Sequence, residues 1–143
     1  AKRKVEDLTK KYHLEGIVNL KGYTNDVASV YNDAQIFGLT SVMEGFDLAI
    51  MEAISHGVVG VTYDVNYGPN DIIQDGKNGY VVDFNDWHAI ADRMLELFKN
   101  PQLMQKMSDG AYESANRYSP DSVWQNWNKL LTDAKQTLKG SEK

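Results

Sequence analysis

Apolar positions in residues 2–14 fall at Val5, Leu8, Tyr12 and His13 or Leu14, with lysines and acids between them. That spacing predicts an amphipathic helix, ended by Gly16. The pattern then shortens. Ile17-Val18-Asn19-Leu20-Lys21-Gly22 predicts a short strand, and Asn25-Asp26 a cap for a brief helix through Asn32. Gln35 to Ser41 predicts a buried strand, followed by a helix from about Asp47 to His56 that closes at Gly57. Val58-Val59-Gly60-Val61-Thr62-Tyr63 is apolar almost throughout, as in a parallel sheet covered on both faces. A loop from Asp64 to Pro69 leads to a short helix near Asp71–Gln74. Asp75-Gly76 and Asn78-Gly79 signal turns before a last strand, Tyr80-Val81-Val82-Asp83.

Beyond Asp83 the pattern is helical only. Asp86–Lys99, Pro101–Arg117 and Pro120–Leu138 each read as helices. Asn85, Asn100 and Ser119 are the candidate caps, and Pro101 and Pro120 sit in first turns, where proline is tolerated. Strands alternating with helices predict an α/β fold: a Rossmann-like open parallel sheet with a helical C-terminal layer. Residues 1–118 make up the main body, residues 119–139 a C-terminal helix of the same domain, and residues 140–143 a loose tail. There is no internal repeat.

A length of 143 residues suits one domain with one core. The net charge of −5 carries no basic footprint, so a nucleic-acid partner is not expected. The absence of cysteine removes disulfides and thiolate metal sites and fits a reducing compartment, so a cytoplasmic location is expected. No apolar run reaches the roughly 20 residues that cross a bilayer. The chain opens at Ala1 and enters a polar helix directly, which reads as a piece of a longer protein.

Candidate chemistry concentrates in Ser41-Val42-Met43-Glu44-Gly45-Phe46-Asp47-Leu48-Ala49-Ile50-Met51-Glu52-Ala53. Glu44 stands beside a glycine turn past the carboxyl end of a strand, where open parallel sheets bind ligands. Glu52 sits inside an apolar helical run, and a buried carboxylate is costly unless paired. At about 1.5 Å per residue, Glu52 lies roughly 8 Å along the axis from the helix start. A helix N-terminus behind glycine favours an anion. Carboxylates accept hydrogen bonds from vicinal hydroxyls. The combination suggests a phosphate with a hydroxyl-rich group on either side, the shape of a nucleotide sugar.

Glu44-Gly45-Phe46-Asp47-Leu48, Glu52-Ala53 and Gly57 resemble the motif of retaining glycosyltransferases of the two-lobed GT-B architecture, in the group numbered family 4. That family carries two glutamates separated by seven residues in a glutamate-glycine-phenylalanine-glycine context. The resemblance extends through Lys21-Gly22-Tyr23, Thr40-Ser41, Tyr63-Asp64, Gly68-Pro69, Ile72 to Gly76 and Asn78-Gly79-Tyr80, and covers roughly Leu14 to Tyr118. Tyr63 to Pro69 resembles the bacterial poly(glycerol phosphate) glucosyltransferases of teichoic acid decoration.

The resemblance implies a partial C-terminal lobe that binds a UDP-sugar, UDP-glucose above all, with no metal or other cofactor. By the same resemblance Glu44 touches the donor sugar near the reacting centre and Glu52 binds ribose hydroxyls. The amides of Gly45, Phe46, Asp47 and Leu48 hold sugar hydroxyls and diphosphate, Ser41 floors the site, and Tyr23 packs near the uracil. Asp47 stands where the family has glycine; its carboxylate either faces the diphosphate, where like charges repel, or turns to the helix macrodipole. The glycine-arginine segment and lysine that neutralise the diphosphate are not in this sequence; Lys21 lies near the matched segments but outside the motif. Two strands of the lobe and the acceptor lobe are expected upstream, in a parent that is peripheral to the membrane, and the chain alone is not expected to transfer sugar.

Two other readings stand beside this one: a sugar-nucleotide epimerase lobe of the same architecture, and a non-catalytic fragment that self-associates as a homo-oligomer. With central strands missing, residues 17–22 are expected to pair with residues 36–41 or to be completed by another chain. His56 follows Glu52 by one helical turn but reads as a dipole contact rather than a metal ligand. Trp87, Trp124 and Trp127 are expected to pack in the helical layer against the sheet.

Overall fold

The computed structural model describes residues 2–43, 45–66 and 68–140, with side chains through residue 137. Along the chain come α1 (Lys2–Lys11), α2 (Val27–Asn32), β1 (Ile36–Leu39), α3 (Leu48–Ser55), β2 (Val59–Tyr63), α4 (Pro69–Ile72), β3 (Gly79–Val82), α5 (Trp87–Lys99), α6 (Pro101–Ala115), a 3₁₀ turn at Asn116–Tyr118, and α7 (Pro120–Gly140). The three strands form one parallel sheet in the order β1-β2-β3. Ile36 pairs with Val59, and Gly60 with Gly79.

Side chains alternate across this sheet as the two-residue strand period requires. Ile36, Val59, Val61, Tyr63, Tyr80 and Val82 face one side and pack with Ile90 and Leu97 of α5 and Met107 of α6. Phe37, Leu39 and Val81 face the other side and pack with Ile50 and Ile54 of α3, Ile72 of α4, Ile73 and Ala111. Every residue of β2 is buried, because it is the one strand with a neighbour on each edge and helices on both faces. Gly60 and Gly79 sit opposite each other at the β2–β3 seam. A side chain at Gly79 would run into the backbone carbonyl of Gly60, so close approach of backbones fixes this glycine.

Local signals set most boundaries. Asp26 caps α2 by accepting from the Ser29 amide at 3.0 Å. Asn100 caps α6 by accepting from the Leu103 amide at 3.1 Å, with Pro101 in the first turn. α3 ends in a paired-carbonyl turn, in which Gly57, at φ +72°, donates to Ile54 and Val58 donates to Ala53. Two expectations shift by a residue or more. Asp86, not Asn85, caps α5, accepting from the Ala89 amide at 2.9 Å; Asn85 takes a positive φ instead. α1 ends at Lys11, with His13 rather than Gly16 in the left-handed position after it, and Leu14 donates back to Thr9.

The expected strand at 17–22 does not form. Ile17 and Val18 donate to the Leu14 carbonyl in a turn, and residues 19–24 run without regular structure. β1 is hydrogen-bonded to β2 on one edge, and no strand covers its other edge among the described residues. A strand needs a ladder partner for its amides and carbonyls, and propensity alone does not supply one. The first arm of the expectation, pairing with residues 36–41, is therefore overturned. The tryptophans also depart from expectation. Trp87, Trp124 and Trp127 are all exposed, Trp87 against His88 and Trp127 along a groove with Val123 and Leu130. α7 packs chiefly on the 3₁₀ turn before it and keeps its apolar stripe off the sheet.

Candidate functional site

Three strand ends and one helix start converge beyond the carboxyl edge of the sheet. After β1 comes Ser41, half-buried, then Val42 and Met43, both exposed. After β2 come Asp64, Val65 and Asn66; after β3 comes Phe84. Val42, Met43, Asp64, Val65, Asn66 and Phe84 line a cleft of about 370 Å³. Its walls are braced: the Asp64 amide donates to the Val82 carbonyl at 2.6 Å, Asn70 donates to the Asp64 carboxylate, and the Tyr63 and Phe84 rings meet edge to face at 5.9 Å. This is the crevice where an open parallel sheet binds ligands.

α3 begins beside that crevice with Asp47 as its N-cap. Asp47 Oδ1 accepts from the amides of Ala49 and Ile50 at 3.0 and 3.2 Å. The side chain is 5% exposed, and its second oxygen, Oδ2, is buried with no hydrogen-bond partner. Of the two alternatives the sequence left open, these bonds belong to the macrodipole one: Asp47 turns its carboxylate to the first-turn amides of α3. Gly45, Phe46 and Leu48 on either side are exposed, and the Phe46 ring meets Tyr118 edge to face at 5.9 Å. Glu44 lies outside the described residues.

Glu52 is exposed, where an apolar setting for it was expected. The eight residues of α3 bury Ile50, Ala53 and Ile54 along one stripe, which turns Leu48, Glu52 and Ser55 outward. There Glu52 lines a second groove, of about 460 Å³, with Leu48, Met51, Ser55, Tyr112, Ala115, Asn116, Tyr118 and Ser119. Its lining sets hydroxyl and amide side chains among the apolar Leu48, Met51 and Ala115. No lysine or arginine comes within ion-pair distance of Glu52 among the described residues.

Tyr31 of α2 closes the other side of α3. Its phenol donates to the Ala49 carbonyl at 3.1 Å. Burial, and after it the carboxylates of Glu52 and Asp47, hold this phenol above its ordinary value. The His56 ring stacks on Tyr31 at 5.7 Å, and its Nδ1 lies 2.8 Å from Asn32 Oδ1. His56 thus ties the end of α3 to α2, and among the described residues no three His, Asp or Glu side chains converge as a metal site.

Of the expected site residues, the structure sets Leu48 and Glu52 along the second groove, whereas Ser41, Gly45, Phe46 and Asp47 line neither cleft. It leaves Tyr23 apart: that side chain is 90% exposed and lines neither cleft. Phe84, Tyr112, Asn116, Tyr118 and Ser119 were missed by sequence reasoning. They lie tens of residues from the motif, and no local spacing joins them to it.

An open parallel sheet, a crevice past its strand ends and a capped helix beginning there define a Rossmann-like ligand-binding lobe. The family model "Glycosyl transferases group 1" matches residues 1–114, and the chain belongs to that family. It is 38% identical over 126 residues to the poly(glycerol-phosphate) alpha-glucosyltransferase of Bacillus subtilis (strain 168), covering 88% of this chain and 18% of that protein. S. aureus TarM, solved in a complex that includes alpha-GlcNAc-glycerol and UDP, is 33% identical with a TM-score of 0.81, over 90% of this chain and 26% of that one. The C-terminal domain of a group 1 glycosyl transferase, LpcC from Francisella tularensis, is 25% identical with a TM-score of 0.73, over 83% of this chain and 63% of that one. The fold is that of the C-terminal lobe of the two-lobed GT-B architecture, and the chain spans about a fifth to a quarter of the length of the first two relatives. No helix among the described residues is long and apolar enough to cross a membrane.

Proposed function

We propose that this chain is the donor-binding lobe of a retaining hexosyltransferase that takes a UDP-hexose, with UDP-glucose as the first donor to try. The parent enzyme transfers the hexose to a cell-wall polymer such as teichoic acid in the cytoplasm, and this lobe alone is inactive. The observation that carries the reading is Glu52. It is a carboxylate without an ion-pair partner among the described residues, lining a groove that also carries hydroxyl and amide side chains, on the helix that follows the β1 end of the strand-end crevice. A nucleoside diphosphate sugar needs two such hydroxyl-binding regions with a phosphate-sized gap between them. Glu52 takes the ribose diol, Glu44 and Ser41 take the hexose side, and the relative solved with UDP supports UDP as the nucleotide.

Calorimetric titration of the chain with UDP and UDP-glucose, before and after Glu52→Ala, tests this. Hydrogen bonds to a charged group contribute about 1.5–3 kcal/mol each, so the substitution should weaken binding about 10-fold to 100-fold. Equal binding by both forms, or no binding by the native chain, removes the proposal. The edge of β1 that no described strand covers favours a second reading, in which the lobe by itself self-associates through that edge.

A further inference from the structure

The segment between β1 and α3 joins the two clefts. Val42 and Met43 line the strand-end crevice, and Leu48 lines the groove that carries Glu52. Between them Gly45 and Phe46 are exposed, and a side chain built at Gly45 would meet nothing within 4 Å. Phe46 is held from the far end of the chain, by the edge-to-face contact of its ring with Tyr118. Tyr118 is itself fixed. Its hydroxyl donates to the Asp71 carbonyl of α4 at 2.8 Å, across 47 residues of sequence. Its half-buried ring packs against the cluster of Ile50, Ile54 and Ile72, and the Arg117 guanidinium lies 5.3 Å from the ring centroid. The same ring lines the Glu52 groove and the groove along α7 with Val123, Trp127 and Leu130.

We propose that Tyr118 is a positioning residue for the nucleotide sugar: it acts through Phe46 to set the crevice wall against the Glu52 groove, so that one ligand occupies both. The inference rests on the nucleotide-sugar reading above and deepens it. An aromatic ring is positive at its edge and negative on its face, so an edge-to-face pair fixes orientation as well as separation. An aliphatic contact fixes neither. A segment already held in its binding conformation costs less to order when the ligand arrives. That saving goes to a ligand that reaches both clefts. A ligand held in the Glu52 groove alone does not depend on where the crevice wall stands.

Calorimetric titration with UDP and UDP-glucose tests this in the full 143-residue chain. Damage to the groove wall lowers both affinities together, whereas lost positioning lowers that for UDP-glucose alone, so the readout is the ratio of the two. Tyr118→Leu removes the ring and Tyr118→Phe keeps it. Tyr118→Met fills the space with an adaptable chain and decides if a thermal melt shows the leucine form unfolded. Phe46→Leu, at an exposed position, removes the same ring pair from the other side. The expected result is a ratio that falls about 2-fold to 10-fold in the leucine or methionine form at Tyr118 and equally in Phe46→Leu. It returns to the native ratio in Tyr118→Phe, and it falls no further when the substitutions at Tyr118 and Phe46 are combined. An unchanged ratio in Phe46→Leu or in the folded ring-less forms overturns the role of Tyr118 and leaves the donor reading standing. So does a loss in Tyr118→Phe equal to that of the ring-less forms, or losses that multiply in the combined form. A native chain that binds neither ligand overturns both.

Discussion

Tyr31 shows how one side chain ties local chemistry to fold stability. Its phenol is buried, donates to the Ala49 carbonyl, and faces the carboxylates of Glu52 and Asp47. All three features favour the protonated form, so the native state holds that proton more tightly than the unfolded chain does, whose phenol titrates near 10.0. Stability from this source is fully present below that value and is lost as the pH rises through the higher native value. Thermal melts across the alkaline range should show a steep fall in Tm for the native chain and a shallower one for Tyr31→Phe. The Phe form should also be about 1 kcal/mol less stable at neutral pH, for its missing hydrogen bond. Parallel alkaline limbs would remove the argument. Tyr80 belongs to the same class, raised mainly by burial, so a phenolate absorbance titration of the variant should retain one late transition.

At the scale of elements, α3 carries the most consequence. Eight residues are too few to be helical alone, so its two ends and its buried stripe hold it in place. The C-terminal end gives a controlled test. Gly57 and Gly76 have nearly the same backbone, φ +72° and +73°, but different surroundings. A side chain at Gly57 would collide with the Tyr112 ring, whereas nothing lies within 4 Å of one at Gly76. Gly76→Ala should therefore cost only the left-handed strain, about 1–2 kcal/mol. Gly57→Ala should cost about 1–3 kcal/mol more, because Tyr112 must move. Urea denaturation of both variants measures the difference, and equal losses would mean that Tyr112 gives way freely.

For the whole molecule the decisive feature is the uneven cover of the sheet. β2 is enclosed, whereas no strand among the described residues covers the outer edge of β1, and α1 has no buried residue. Ile17, Val18 and Leu20 lie exposed in the segment that leads from α1 toward α2. Unpaired amides and carbonyls beside apolar side chains invite another chain. Sedimentation over a concentration series should give a mass that rises with concentration, and Ile17→Lys in the exposed segment should reduce the association. A monomer at every concentration would count against the self-association reading and leave the donor reading untouched.

Most of this fold was legible because its determinants are local. Asp26, Asn100, Gly57 and the prolines act over three or four residues, and the uniformly apolar β2 betrays a central strand without any knowledge of its neighbours. The motif from Ser41 to Glu52 likewise gave the family, since its residues are contiguous. What the sequence could not decide was whatever depends on a partner far along the chain. Residues 17–22 have strand propensity but no ladder to join, and the tryptophans have helical spacing but no sheet beneath them. Tertiary packing alone turned Glu52 outward, because α3 could bury only the stripe holding Ile50, Ala53 and Ile54. It alone set Tyr112, Asn116 and Ser119 around that carboxylate, and left Asp47 with one oxygen committed to the helix and the other unclaimed.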